Sequence, residues 1–168
     1  MATLIRYALL LATTAVLQRL LLDQIRIADV AADGFLVLSV ATGVVAGSRR
    51  GAVVGFAAGL ALDLMVLTPF GLGALSSLVA GAVAGSLERL IVHSARTLTL
   101  AVGFASAFVG VLFFVLVGSL LGGVGLVDGH LPVILLLVPA TTAVLVLPVR
   151  RLIRWAEAPS RALSPALR

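Results

Sequence analysis

The sequence predicts an all-α polytopic integral membrane protein with six transmembrane helices. Three observations predict it. Apolar residues fill 61% of the 168 positions and charged residues 11%, against about 45–50% and 25% in soluble domains. Mean hydropathy is +1.24. The charges sit at the ends of long uncharged runs, where a chain with lipid as its solvent can place them. With only 12 basic and 7 acidic side chains, a soluble fold of this size has too little charge to cover its surface.

Cysteine is absent, which excludes disulfides, thiolate metal sites and a cysteine nucleophile. His93 and His130 lie in different polar stretches, so neither metal nor cofactor is expected. The net charge is +5, all twelve basic residues are Arg, and the pI is near 11.5. Such a pI is compatible with nucleic acid. The arginines, however, stand singly or in pairs at the ends of apolar runs, as the positive-inside rule requires, so no nucleic-acid partner is expected.

A hydrocarbon core of about 30 Å needs about 20 helical residues. The first span is expected at 4–22. It is read as retained, because Gln18-Arg19 stands where a signal-peptide cleavage site belongs. The second is expected at 30–48, between Asp33 and Arg49-Arg50 with a short extension ahead of the acid. The third runs over 51–67 and contains Asp63. Thr68-Pro69 offers an N-cap and a first-turn proline, so a fourth span is expected at 69–87. A re-entrant hairpin is the rival reading of spans three and four. Gly122-Gly123-Val124-Gly125 ends a fifth span at 97–121. Pro132 opens a sixth at 132–149. The six-helix domain covers 1–157, and 158–168 reads as a short disordered cytoplasmic tail.

Charge orients the bundle. With both termini in the cytoplasm, ten of the twelve arginines fall inside and only Arg19 and Arg26 outside. That is a strong positive-inside bias. Four acids, Asp23, Asp29, Asp33 and Asp128, fall outside but carry little orienting weight.

Asp63 is the ionisable residue well inside an expected span. An intramembrane carboxylate raises a functional hypothesis by default. It also lies near the start of span four, where unpaired N–H groups and a partial positive charge stabilise an acid. A pinning role leads. A ligand or partner contact and an ion relay are the alternatives, and a relay lacks a second intramembrane carboxylate.

Glycine follows a period of four. Gly51, Gly55 and Gly59 share one face of span three. Ser77, Gly81 and Gly85 share one face of span four, and span two has Gly43 and Gly47. Small residues at this spacing let helix backbones approach closely in lipid. Internal packing is the leading use of these faces, and a homodimer contact is the alternative.

No catalytic constellation is visible. G-x-S-x-G, H-E-x-x-H, a P-loop and an intramembrane aspartyl pair are all missing, so an enzyme is not expected. Arg89, His93 and Arg96, and later Arg150, Arg151, Arg154 and Trp155, read as anchors at the inner membrane boundary, with a protein contact as the alternative. The outer stretch DQIRIADVAAD either lies on the membrane or docks an extracytoplasmic partner.

The order of these features carries a resemblance. A first span ends in Gln18 and Leu20-Leu21-Leu22. A short outer loop with Ile25 and Ile27 leads to Asp33 before the second apolar run. Ser48-Arg49-Arg50-Gly51 opens a glycine-rich span with Gly55 and Gly59. That span ends in Asp63-Leu64, followed by Thr68-Pro69-Phe70-Gly71-Leu72 and Ala74-Leu75. This pattern resembles the bacterial rod-shape-determining MreD family over residues 15–90. Beyond 97 only the hydropathy matches, and Ala32 stands where the family more often has Pro.

The resemblance implies a non-catalytic scaffold of the cell-elongation complex in the bacterial inner membrane. It implies MreC as the partner, together with actin-like MreB, the RodA glycosyltransferase and its transpeptidase, and a role in lateral peptidoglycan synthesis. Candidate structural or partner residues are then Asp33, Gly51, Gly55, Gly59, Asp63, Thr68, Pro69, Phe70, Gly71, Gly81 and Gly85. The helical core is also similar to the six-helix substrate-binding subunit of energy-coupling vitamin transporters, so a small solute-binding or transport subunit is the alternative function.

Overall fold

The computed structural model describes residues 2–22, 24, 26–27, 30–65, 71–90, 96–121 and 131–163. Among them stand six α-helices: α1 Ala2–Leu17, α2 Gly34–Ala46, α3 Ser48–Asp63, α4 Leu72–Leu90, α5 Arg96–Leu120 and α6 Leu131–Leu163. α1 continues as a π-helical turn over Gln18–Leu22. Two two-residue strands follow, β1 Arg26–Ile27 and β2 Val30–Ala31. They pair antiparallel, with Arg26 opposite Ala31 and Ile27 opposite Val30.

α2 forms the axis. Its sequence GFLVLSVATGVVA carries no charge and no polar stripe, and a helix that is apolar all round belongs in an interior. Every residue from Phe35 to Gly43 is buried. The other five helices surround it, with α3 and α4 packed most closely together and α5 filling the side between α4 and α6. The core gathers Leu36, Val37, Leu38 and Val40 of α2 with Ala80, Ala84, Val102, Ala107, Val146 and Ile153.

α5, Arg96–Leu120, and the stretch Leu131–Ala158 of α6 are long and apolar enough to cross a membrane. α2 and α3, with 13 and 16 residues, rise about 20 and 24 Å at 1.5 Å per residue. Both fall short of a core of about 30 Å.

Several element bounds differ from those the sequence predicts. Span two was expected from residue 30, but α2 starts at Gly34. Asp33 is its N-cap, with Oδ1 accepting from the Phe35 and Leu36 N–H groups at 2.9 and 3.0 Å. A cap of that geometry terminates the helix, so Val30–Ala31 pair as a strand instead. α3 ends at Asp63 rather than at 67: the Met65 N–H bonds the Leu62 carbonyl, three residues back, instead of continuing the α-helical ladder. α4 starts at Leu72, after Gly71 at φ 95°, rather than at 69. Thr68, Pro69 and Phe70 lie outside the described residues, as do Asp23, Asp29, His93, Asp128 and His130.

The largest difference is in α6. It was expected to end at 149, yet it runs on to Leu163. Ile153, Ala156 and Glu157 explain the continuation, since all three are buried on one helical face. The stretch expected as a tail from 158 therefore begins as helix. Residues 164–168 lie outside the described set. Pro139 and Pro148 fall within this helix, each removing one N–H from the ladder.

Candidate functional site

The α3–α4 junction brings several of the sequence candidates together. Asp63 is the last residue of α3 and only 5% exposed. Its Oδ2 accepts from the Gly71 N–H at 2.9 Å and the Ala74 N–H at 3.1 Å. Its Oδ1 accepts from the Gly73 N–H at 3.0 Å. These N–H groups belong to the first turn of α4, where the helix supplies no partners of its own and carries a partial positive charge. The carboxylate thus occupies the anion position of a helix N-terminus from within the same chain.

Two glycines make this clasp geometrically feasible. Gly71 has φ 95°, a left-handed conformation that favours glycine. Its carbonyl accepts from the Leu75 N–H at 3.0 Å and so opens α4. Gly73 sits directly beneath the carboxylate, and a Cβ there would lie 3.1 Å from Asp63 Cγ. The sequence pattern singles out Gly71 but not Gly73. The available signal was its place one helical period below Ser77.

Below the clasp, α3 and α4 meet backbone to backbone. Cβ atoms built at Gly51, Gly55 and Gly59 would strike the carbonyl oxygens of Gly81, Ser77 and Gly73 in turn. That is an antiparallel register, continued by Gly85 against Gly47 and Ser48. α2 joins the same seam. Gly43 faces the Gly81 carbonyl, and Gly51 faces the Gly43 Cα, so glycines of three helices converge at one point. Ser39 of α2 adds the polar contact, its Oγ donating to Ser77 O at 2.6 Å. The faces carrying Gly51, Gly55, Gly59, Gly81 and Gly85 are therefore filled from inside the chain. A second copy would have to use another surface.

The same end of the bundle holds two further ties. The Gln18 amide donates to Ala32 O at 3.1 Å, and its Oε1 accepts from the Gly34 N–H at 2.9 Å. Arg19 donates to Met65 O at 2.7 Å. The end of α1 is thus fastened to the start of α2 and the end of α3. Asp33 contributes as the α2 cap and is half-buried.

The opposite end holds a cluster that sequence reasoning missed. Glu157 is 2% exposed. It accepts from the Tyr7 hydroxyl at 2.8 Å and pairs with Arg50. Arg6 donates to Trp155 O at 2.6 Å, with its guanidinium 4.4 Å from the Trp155 ring centroid. Arg150 donates to Thr99 Oγ1 at 2.9 Å. The starts of α1, α3 and α5 and the end of α6 meet here, so arginines expected on the inner side collect at one end. Partners in the Glu157 cluster lie 107 and 150 residues apart, a separation that no local pattern reveals.

Chemically, the arrangement fixes backbone rather than activating a group. A carboxylate has about four acceptor positions, and three N–H groups hold Asp63. Among the described residues no three His, Cys, Asp or Glu side chains gather where a metal ion could be held. A cavity of about 210 Å³ between α1, α2 and α6 is lined by Leu10, Leu17, Val37, Leu38, Leu145 and Val149, with Thr13 and Thr14 among the few polar neighbours. No protein-family model, no curated protein and no solved structure matches this chain.

Proposed function

We propose that this chain is a multi-pass protein of the bacterial inner membrane and acts as a non-catalytic scaffold of the cell-elongation complex. MreC is the proposed direct partner. MreB, RodA and its transpeptidase are the wider assembly. The supporting observation is the Asp63 clasp. The block Asp63 to Leu75 carries the most specific part of the resemblance to the MreD family. In the described part of that block, the conspicuous acid is engaged with the helix backbone rather than set up as a reactive group. A frame pinned at one end and zipped by glycines suits a protein that holds others in place.

The rival reading, a solute-binding subunit, calls for a midplane cavity with several polar groups. The 210 Å³ cavity is lined almost wholly by apolar side chains, and the larger, more polar cavity lies at one end of the bundle, between the starts of α1 and α3, rather than midway along it, which favours the scaffold. Depletion in a rod-shaped host tests the choice. The scaffold reading expects widened or rounded cells and no vitamin binding by the pure protein. Normal cell shape, together with saturable vitamin binding, would reverse the assignment.

The topology that goes with this reading is six crossings with both termini inside, the short helices α2 and α3 crossing where the bilayer thins around them. Reporter fusions after Asp29 and Asp128 are expected to read as external. Fusions after Arg50, Arg96 and Arg161 are expected to read as internal. An external C-terminus contradicts the topology, and an internal Asp29 fusion contradicts the first crossing.

A further inference from the structure

A second cavity, of about 400 Å³, opens between the starts of α1 and α3. Its walls differ in character. Leu4 of α1 and Val53 of α3 form an apolar side and are 74% and 66% exposed at the surface of the bundle. Arg49 and Arg50 form a basic side, and Thr3 and Tyr7 add hydroxyls. The floor is the buried Glu157, already held by Tyr7 and Arg50. That pairing offsets the one acid and positions the Arg50 guanidinium at the rim, with half of its side chain exposed. Arg49 beside it is exposed. The cavity therefore joins a net positive edge to an apolar slot, at the end of the bundle where arginines collect.

We propose that this cavity binds the headgroup of an anionic phospholipid of the inner leaflet, with the phosphodiester against Arg49 and Arg50 and the first acyl methylenes against Leu4 and Val53. The inference rests on the membrane reading above. Charge complementarity selects the occupant. A guanidinium fork matches phosphate oxygens, and only a ligand with an apolar tail satisfies the opposite wall. Free phosphate leaves Leu4 and Val53 uncovered. A zwitterionic lipid brings its own cation to the two arginines.

The test uses the full chain purified in mild detergent and native mass spectrometry of retained lipid. Phosphatidylglycerol, phosphatidylcholine and inorganic phosphate are added separately. Phosphatidylglycerol is expected to be retained in preference to phosphatidylcholine. Arg49→Gln is expected to weaken retention about five-fold, the loss of one of the two cations facing the phosphodiester. Arg49→Lys restores part of it. Val53→Trp, which fills the slot, lowers retention without removing charge. Arg151→Gln, an exposed inner-end arginine outside the cavity, leaves retention unchanged. Arg49→Gln must melt at the wild-type temperature, which separates lost binding from lost folding. Equal retention of both lipids overturns the proposal. So does unchanged retention in both Arg49→Gln and Val53→Trp, or inorganic phosphate competing as well as the lipid. A chain that stays soluble on lysis fails earlier, at the membrane reading itself.

Discussion

Replacing Asp63 with Leu is expected to lower the folded protein level sharply, while Asn is tolerated much better. The reason lies in the three N–H groups of Gly71, Gly73 and Ala74. Leu leaves all of them without their acceptor, in a junction where Gly73 and Ala74 are buried. A buried donor left unpaired costs about 1–3 kcal/mol. The whole loss is then on the order of 3 kcal/mol or more, even after partial relaxation. For a chain of this length that corresponds to a melting shift of roughly 6–12 °C. Asn keeps one acceptor oxygen and gives up the charge, whose interaction with the helix N-terminus contributes about 0.3–2 kcal/mol. The expected order in melting temperature and abundance is wild type, then Asn, then Leu. If Leu leaves abundance and assembly intact, the clasp carries no weight. If both variants stay abundant and lose function, the charge itself contacts a ligand or partner.

Gly55→Leu is the second substitution with a large expected effect, through a different cause. A Cβ at Gly55 meets Ser77 O, Ser77 C and Ser39 Oγ. Two of those atoms are backbone of α4, which cannot rotate away as a side-chain tip does. Close approach of small residues is what holds helices together in lipid, so a leucine wedges α3 from α4 and breaks the Ser39–Ser77 bond as well. Overpacking of this kind costs about 1–3 kcal/mol when neighbours adjust, and more where they are main chain. Gly55→Ala should fall between wild type and Leu. Leu75, on the exposed side of α4 at 45% exposure, supplies the control: Leu75→Ala should change little. Equal melting temperatures for Gly55→Leu and wild type in detergent would mean that the seam does not bear on stability.

Local rules reached much of this architecture. The period-four glycines of α3 and α4 pointed to paired faces, and those faces meet in register. The acid near the next helix start pointed to a cap, and the carboxylate reaches that N-terminus. Asp33 was legible as a boundary, although its capping role moved the start of α2 by four residues. What escaped depended on partners distant in sequence. Gln18 is a single amide at the end of an apolar run, and only the fold brings Ala32 and Gly34 to it. Glu157 stood among arginines in a stretch that resembled a plain anchor. Its burial follows from Tyr7 and Arg50, both in the first third of the chain, arriving beside it. The continuation of α6 was hidden by Arg150-Arg151 and by prolines, which in isolation signal a stop. Packing of Ile153 and Ala156 against the bundle outweighs them. Gly103 and Gly110 of α5 are not legible in the same way, since their spacing of seven matches no period of four. In the structure a Cβ at Gly103 would lie 3.2 Å from Ala143 Cα, and one at Gly110 would lie 2.8 Å from Ala80 Cβ.

Affinity purification of the tagged chain in mild detergent, with identification of whatever co-purifies, tests the scaffold assignment most directly. The wild-type protein is expected to bring down MreC in near-equal amount. Asp63→Asn should retain it, and Asp63→Leu should lose it in proportion to its lower abundance. Recovery of the chain without MreC, accompanied instead by the ATPase and coupling subunits of a vitamin transporter, would contradict the scaffold account.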